Sequence, residues 1–204
     1  MKRKLLSKIS VFILSLAMLA MGCGARQNVS ETASAMETGS AMETASAMET
    51  GSGIPSETAP NEELRQLLIA YYEIPEEDLE STRYYYNYVD LNDDGTEEIL
   101  ALAMGPYTSG SGGSSALWIA QTDKGLQVTT AFSVFNAPVI ISDTITNGYH
   151  ELVVPYYGTD AEEEYSILSC QNGTYTNVPD GTLVNSLNHI QGTTILANDF
   201  SADF

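Results

Sequence analysis

From residue 84 onward the chain is divided into short apolar runs that are separated by clusters of Gly, Asn, Asp and Ser. Runs of this kind, rich in β-branched and aromatic residues, are typical of strands. We predict strands in "YYYNYVDL", "EEILALAM", "SALWIAQ", "GLQVTTAF", "APVIIS", "YHELVVPYY", "EYSILSC" and "GTYTNV". "QTDKGL" and "CQNGTY" predict hairpin turns, and Asn172-Gly173 is the strongest of these signals. The fold class we expect is mainly β with a minor α part (α+β), in antiparallel sheets.

One helix is predicted ahead of these strands, and it should pack on the sheets. Asn61 suits an N-cap, and Glu62 and Glu63 follow in the first turn. Apolar residues then recur at helical spacing: Leu64, Leu67, Leu68 and Tyr71. Pro75 limits this helix. We also expect a turn of helix within "EIPEEDLE" and a short helix in "LVNSLNHI" near the C-terminus.

The first 22 residues have the pattern of an export signal. A basic segment is followed by an almost wholly apolar one over residues 9–21, which is too short to span a bilayer. The stretch ends Leu19-Ala20-Met21-Gly22-Cys23 and resembles the lipobox of bacterial lipoproteins, with Ala20 where Leu is usual. That resemblance implies that Cys23 is acylated and becomes the mature N-terminus. An ordinary secretory signal cleaved nearby is the alternative.

Residues 31–54 repeat every six positions as "ETASAM ETGSAM ETASAM ETGSGI". The repeat holds no aromatic residue, and its small polar side chains cannot bury enough apolar surface to offset the entropy of the chain. We therefore predict three parts: a lipoprotein signal peptide over 1–22, a disordered stalk over 23–60, and a β-rich domain over 61–204. A repeat that binds a partner is the alternative for the stalk.

Removal of the signal would leave four basic residues against 27 acidic ones, a net charge of −23. A chain of this charge repels phosphate backbones, so we expect no nucleic-acid partner. Solubility explains most of the acidity, and dense carboxylates also suit hard cations. With Cys23 acylated, Cys170 has no disulfide partner and is expected to be a small core residue, with a reactive thiol as the alternative.

The stretch "DLNDDGTEEI" places oxygen-bearing side chains at alternate positions before a glycine. Asp90, Asn92 and Asp94 take positions one, three and five, and Gly95 takes position six, where the chain turns. Position seven, Thr96, offers a carbonyl, and position nine is Glu98. Calcium takes six to eight oxygen ligands, and this spacing wraps them around one point. An acidic turn that binds no metal is the alternative.

The loop is similar to two known calcium loops. An EF-hand needs a bidentate Glu at position twelve, which here is Ala101 in a predicted strand. The better resemblance is to the calcium loop of FG-GAP repeats, Asp-x-Asn-x-Asp-Gly-x-x-Asp followed by an apolar strand. It implies that the metal ligands are the side chains of Asp90, Asn92, Asp94 and Glu98 and the main chain of Thr96.

A second segment, "DTITNGYHELVV", aligns with the loop when Gly148 is set on Gly95. Asp143 then matches Asp90, and Ile145, which cannot bind a metal, falls at position three. We expect two related β units, the second without metal; chance similarity is the alternative. Two units are too few to close a propeller, so an open or sandwiched sheet is expected.

Further candidates for ligand contact lie in and beside "YTSGSGGSSALW". The stretch lacks the Lys of a phosphate-binding loop and the spacing of a nucleophile elbow. A plain flexible loop is one interpretation, and a ligand-contacting loop with Tyr107 and Trp118 as stacking surfaces is the other. Tyr84, Tyr86 and Tyr88 share one face of a predicted strand, either through strand packing or as an aromatic platform.

The function expected from these features is binding or interaction at the cell envelope. The chain would be exported, anchored by lipid on Cys23 to the outer face of the cell membrane, and carry calcium as a structural cofactor. Its partner would be an unidentified carbohydrate, peptide or protein ligand. A hydrolase acting on an envelope or dietary polymer, and an inhibitor or sensor subunit of another secreted protein, remain alternatives.

Overall fold

A computed structural model describes residues 53–158 and 163–200 of the chain. The predicted signal peptide, Cys23 and the stalk up to residue 52 lie outside these described residues. The described residues belong to one compact unit, Thr38–Phe204. No helix among them is long and apolar enough to cross a membrane.

Helix α1 spans Glu62–Tyr72 and begins as predicted. The side chain of Asn61 accepts a hydrogen bond from the Leu64 amide at 3.0 Å, and the helix ends at Glu73 in a left-handed conformation with φ 52°. Leu64 and Leu68 are buried as expected, but Tyr71 is 45% exposed and Tyr72 packs inward instead. A 3₁₀ turn, Glu76–Asp78, occupies the acidic segment.

The first sheet contains five strands: β1 (Arg83–Val89), β2 (Glu98–Met104), β3 (Ser109–Gly110), β4 (Gly113–Thr122) and β5 (Gly125–Phe135). They pair antiparallel in the order β1–β2–β4–β5, and β3 pairs with the first residues of β4. The predicted hairpin at "QTDKGL" joins β4 to β5, because Thr122 pairs with Gly125.

The second sheet contains β6 (Val139–Thr146), β7 (Tyr149–Tyr157), β8 (Glu163–Leu168), β11 (Thr182–Val184) and β12 (Gly192–Ile195). Its order is β11–β8–β7–β6–β12, all antiparallel. A small hairpin of β9 (Cys170–Gln171) and β10 (Thr174–Tyr175) turns at Asn172-Gly173 as predicted. The mainly β, α+β fold class is therefore confirmed.

The elements form layers around two apolar interfaces. The two sheets pack face to face over a core that includes Leu100, Leu102, Trp118, Phe132, Leu152, Val154 and Leu168. Helix α1 covers the other face of the first sheet, on Ile99, Ala101, Ala103, Leu117 and Ile119. A smaller cluster covers the outer face of the second sheet, where Leu187 meets Ile140 and Val153.

Each sheet contains an antiparallel meander of three strands, and two related β units would produce this arrangement. Strands β1, β2 and β4 follow one another in the first sheet, and β6, β7 and β8 do so in the second. In both meanders the middle strand carries the apolar run that follows an aligned glycine, Gly95 or Gly148. Their relation as repeats stays a prediction.

The helix predicted in "LVNSLNHI" is wrong. Thr182–Val184 instead pairs with β8, and residues 185–190 run as an irregular segment. Leu187 is buried against the second sheet. Burial of Leu187 against the second sheet stabilises this segment more than the weak helical spacing of its apolar residues would stabilise a helix.

The predicted domain boundary at residue 61 falls too late. Residues 54–57 already bridge the edges of both sheets: the Ile54 amide donates to Thr194 O at 2.9 Å, and the Glu57 amide to Tyr86 O at 2.8 Å. Buried Asn87 completes this bridge, donating to Pro55 O at 2.9 Å and accepting from the Leu196 amide at 3.1 Å. The segment closes two strand edges that would otherwise present unpaired backbone groups.

Substitution of Asn87 by Ala tests this bridge. We expect the free energy of unfolding to fall by about 2 kcal/mol, because the buried Leu196 amide is left without a partner and the hydrogen bond to Pro55 O is lost. The measurement is chemical denaturation monitored by circular dichroism. Exposed Asn188 is the matched control, and Asn188→Ala should change stability by no more than about 0.5 kcal/mol. Equal stability of the Asn87 and Asn188 variants would contradict the structural role of the bridge.

Candidate functional site

The acidic loop comprises residues 90–98 between β1 and β2, and its last residue, Glu98, is also the first residue of β2. These strands pair up to Val89 and Glu98, so the loop is closed at its base by the first sheet. Leu91 is fully buried in the inter-sheet core and its carbonyl accepts from the His150 amide at 2.8 Å. The loop is thus fixed to both sheets although most of its side chains are exposed.

Asp90 organises the backbone of the loop. One carboxylate oxygen, Oδ2, accepts from the Gly95 amide at 2.8 Å, and Oδ1 accepts from the Asp94 amide at 3.2 Å and the Asn92 amide at 3.4 Å. Gly95 has φ +82°, which a side chain would strain. The carboxylate at position one therefore defines the curvature of the chain around it.

Asn92 and Asp94 are held towards each other. Asn92 Nδ2 donates to Asp94 Oδ2 at 2.8 Å, and the Thr96 amide donates to Asp94 Oδ1 at 2.7 Å. These bonds hold the pKa of the Asp94 carboxyl below its usual range. Asp94 is therefore ionised at neutral pH.

Glu98 differs from the other acids because it is only 8% exposed. Its Oε2 accepts from the Leu91 amide at 3.2 Å. Burial raises the pKa of the Glu98 carboxyl, and the negative charges of Asp90 and Asp94 raise it further, against the opposing effect of the Leu91 bond. An ionised Glu98 is therefore the electrostatically costly member of this group.

His150 links the loop to the second sheet. Its Nε2 lies 3.2 Å from Asp93 Oδ1 and its Nδ1 lies 2.7 Å from Ser142 O. Burial lowers the pKa of His150, but the Ser142 bond, Asp93 and Asp143 together raise it above the ordinary value. The loop that contains the predicted ligands is thus held at its base by the pairing of β1 with β2 and at its tip by the contact of His150 with Asp93.

The residues of the predicted ligand set, Asp90, Asn92, Asp94, Thr96 and Glu98, all lie in this loop. Within 53–158 and 163–200, however, no group of three Asp, Glu, His or Cys side chains converges as a ready metal site. Calcium stays a prediction. In the aligned second segment, Asp143 and Ile145 lie within β6, and a two-residue turn, Asn147-Gly148, replaces the loop.

The prediction that Trp118 offers a stacking surface is wrong. Trp118 is 3% exposed, and its ring packs edge-on against Tyr149 and Tyr175 between the sheets. Alternation along β4 directs it inward, because neighbouring Leu117 and Ile119 face helix α1. Tyr107 is 52% exposed, and its role as a ligand contact stays a prediction.

The tyrosines of β1 are explained by packing. Tyr84 and Tyr86 stack with ring centroids 6.2 Å apart, and Tyr86 is nearly fully buried. The Tyr86 hydroxyl donates to Ala59 O at 2.8 Å, and the Tyr84 hydroxyl to Asn61 O at 3.2 Å. They hold the chain that enters helix α1, and only Tyr88 of this row remains well exposed.

A groove of about 660 Å³ lies at the end of the first sheet that is opposite to the acidic loop. We name it the 104–114 groove; it is lined by Ser81, Met104, Gly105, Pro106, Ser109, Gly110, Ser111, Gly112, Gly113, Ser114, Asn136 and Tyr157. The Gly/Ser stretch identified in the sequence thus forms one wall. Sequence analysis offered no signal for Asn136, whereas the adjacent tyrosines Tyr156 and Tyr157 stood out as a pair. Tyr157 is exposed, and Tyr156 is partly buried against the inter-sheet core.

No family model matches this chain, and neither a curated protein nor a solved structure does.

Glu98→Gln tests the electrostatics of the loop. At pH 7 without calcium, we expect the variant to unfold at a higher temperature than the parent, because the amide keeps an oxygen for the Leu91 amide and removes the buried charge. A carboxyl with a raised folded pKa contributes stability that is present below its unfolded pKa and is lost as pH rises. The gain should therefore shrink towards pH 4.5.

The measurement is a thermal melt from pH 7.5 to 4.5 in chelator. Exposed Glu97 is the matched control, since Glu97→Gln removes the same charge from the adjacent position without relieving a buried carboxylate. A Glu98→Gln gain no larger than that of Glu97→Gln, or one independent of pH, would show that Glu98 carries no such penalty.

Proposed function

We propose that this chain is a lipid-anchored, surface-exposed binding protein of the bacterial cell envelope whose β domain is stabilised by a calcium ion in the loop 90–98. The observation that carries the calcium part is the buried carboxylate of Glu98, whose pKa is raised by burial and by the negative charges of Asp90 and Asp94. Three anionic groups in one closed loop repel one another, and a divalent cation removes that repulsion.

The residues present fit calcium by their chemistry. Side-chain oxygens of Asp90, Asn92, Asp94 and Glu98 and the main-chain oxygen of Thr96 would hold the ion. All of these are hard oxygen donors, which calcium prefers. The FG-GAP resemblance proposed for "DLNDDGTEEILAL" assigns the same five residues. The ion would supply charge compensation and fix the loop.

The calcium has a structural role in this proposal. Glu98 begins β2 and Met104 ends it, so the loop and the 104–114 groove lie at opposite ends of one strand. Six residues of strand extend about 20 Å. An ion in the loop is therefore too far from the groove to contact a ligand there.

The groove favours binding over the alternative of hydrolysis. Its described lining residues present serine hydroxyls, Asn136, Met104, Pro106 and Tyr157, and they include no carboxylate. A hydrolase of polymers, by contrast, commonly uses a pair of carboxylates in its cleft. The 105–114 segment forms the wall of a concave surface. A concave wall suits a ligand that enters it.

Calcium binding is tested by thermal melts of the chain from residue 24 with 2 mM calcium or with chelator. We expect calcium to stabilise the parent by about 0.6–1.8 kcal/mol, as mass action predicts for an exported module that binds in the range of about 0.1–1 mM. Asp90→Ala should abolish this shift, and its lower stability in chelator is expected because three amide bonds are lost.

The matched control is Asp143→Ala, which removes the aligned carboxylate of the second segment. It should leave the calcium shift unchanged. Equal shifts in all three proteins, or a parent that does not respond to calcium, would mean that the loop 90–98 is a polar turn and that the FG-GAP resemblance does not extend to metal binding.

The anchor is tested by expressing the full chain in bacteria supplied with radiolabelled palmitate. We expect label on the parent protein and loss of nearly all of it in Cys23→Ser, since the chain's other thiol, Cys170, is buried in the core. Cys170→Ser is the matched control and should retain the label. Label on Cys23→Ser equal to that on the parent, or an unlabelled parent, would contradict lipid attachment at Cys23.

A further inference from the structure

The described residues that line the 104–114 groove are uncharged, although the chain as a whole is strongly acidic. These described lining residues contain no Asp, Glu, Lys, Arg or His, whereas the whole chain carries a formal charge of −19. An anionic ligand would be repelled by the surrounding charge, and a cationic ligand would find no carboxylate to pair with among these lining residues. The ligand class that suits the lining is uncharged.

The backbone around the groove is strained in a way that shapes it. Val134 has φ 58°, a conformation that β-branched residues rarely adopt. It lies against Gly113, where a Cβ would approach Val134 C to 2.7 Å. Asn136 fixes this arrangement, because its Nδ2 donates to Gly112 O at 3.0 Å and to Pro155 O at 3.1 Å. Strain that is held by surrounding contacts clusters at ligand sites.

The walls combine fixed polar groups with apolar surface. Ser109 Oγ accepts from the Gly105 amide at 3.1 Å and lies 2.8 Å from Ser114 Oγ, so both hydroxyls are fixed in place. Gly110 is exposed, and nothing lies within 4 Å of the position of its Cβ. Strand β2 contributes Met104 to the lining, and strand β7 contributes Tyr157, which is 54% exposed.

We propose that the 104–114 groove binds a neutral carbohydrate, with the C–H face of a sugar ring on Tyr157 and its hydroxyl groups bonded to the main chain of Gly110–Gly113. The proposal rests on the proposed binding function and names the ligand class. An exposed aromatic ring beside fixed polar groups and glycine backbone offers both kinds of contact that a sugar presents. The volume of the groove lies in the range of about 300–1,000 Å³ that is usual for such sites.

An extended peptide is the other uncharged chain to consider, and the lining suits it less. Peptides that add a strand to a sheet use a row of unpaired backbone groups, and β3 contains only two residues, Ser109–Gly110. Proline-rich peptides use grooves lined by several aromatic rings, and Tyr157 is the one aromatic residue among the described lining. The carbohydrate therefore accounts for more of the observed surface.

The test is calorimetric titration of the chain from residue 24, in 2 mM calcium. The probes are neutral hexasaccharides of glucose, xylose, mannose and N-acetylglucosamine, an anionic hexagalacturonate, and a proline-rich decapeptide. We expect at least one neutral hexasaccharide to bind and the hexagalacturonate not to bind. Tyr157→Ala should weaken the binding by roughly three- to tenfold. Gly110→Trp should abolish it by filling the groove.

Tyr71→Ala is the matched control, because Tyr71 is a similarly exposed tyrosine on helix α1. It should leave the affinity unchanged, and thermal melts should show all three variants folded. Failure of every neutral hexasaccharide to bind would overturn the proposal, as would saccharide binding that Tyr157→Ala and Gly110→Trp leave intact. Decapeptide binding that is lost in Gly110→Trp would overturn the carbohydrate but keep the binding function. The calcium and palmitate experiments test the other parts of that function separately.

Discussion

Strand β2 is the element on which the rest of the domain depends, because it is buried on both faces. Leu100 and Leu102 enter the core between the sheets, and Ile99, Ala101 and Ala103 pack under helix α1. A strand with apolar residues on both faces must be covered twice, so it requires both the helix and the second sheet. Each end of this strand then carries a candidate site: the acidic loop ends at Glu98, and Met104 lines the 104–114 groove.

The acidic loop shows how a local motif depends on a distant framework. Asp90 curves the backbone through bonds to amides within five residues. The electrostatic cost of the loop instead comes from the carboxylate of Glu98, whose pKa is raised by burial. Glu98 is buried because it begins β2, a strand that is covered on both faces. His150, from the second sheet, holds the tip. In our proposal the cation compensates a charge that the tertiary fold has made costly.

Most of the secondary structure was predictable because its causes are local. The Asn61 cap, the Asn172-Gly173 turn and the strand runs each depend on neighbours a few residues away. The errors arose where distant contacts prevailed. Leu187 serves as a cover for the second sheet rather than as part of a helix, and Trp118 faces the core rather than solvent. Residues 54–57 belong to the domain because Asn87 and Thr194 bind their backbone.

The sequence by itself determined the antiparallel β class, the capped helix and the order of oxygen donors in the loop 90–98, since hydrogen bonding and side-chain alternation act over a few residues. Only the tertiary structure decided which face of each strand is buried, that Glu98 lies out of water, and that a groove exists at all. That groove joins Ser81, the 104–114 segment, Asn136 and Tyr157. These residues are far apart in sequence, and the pairing and packing of two sheets are what bring them together.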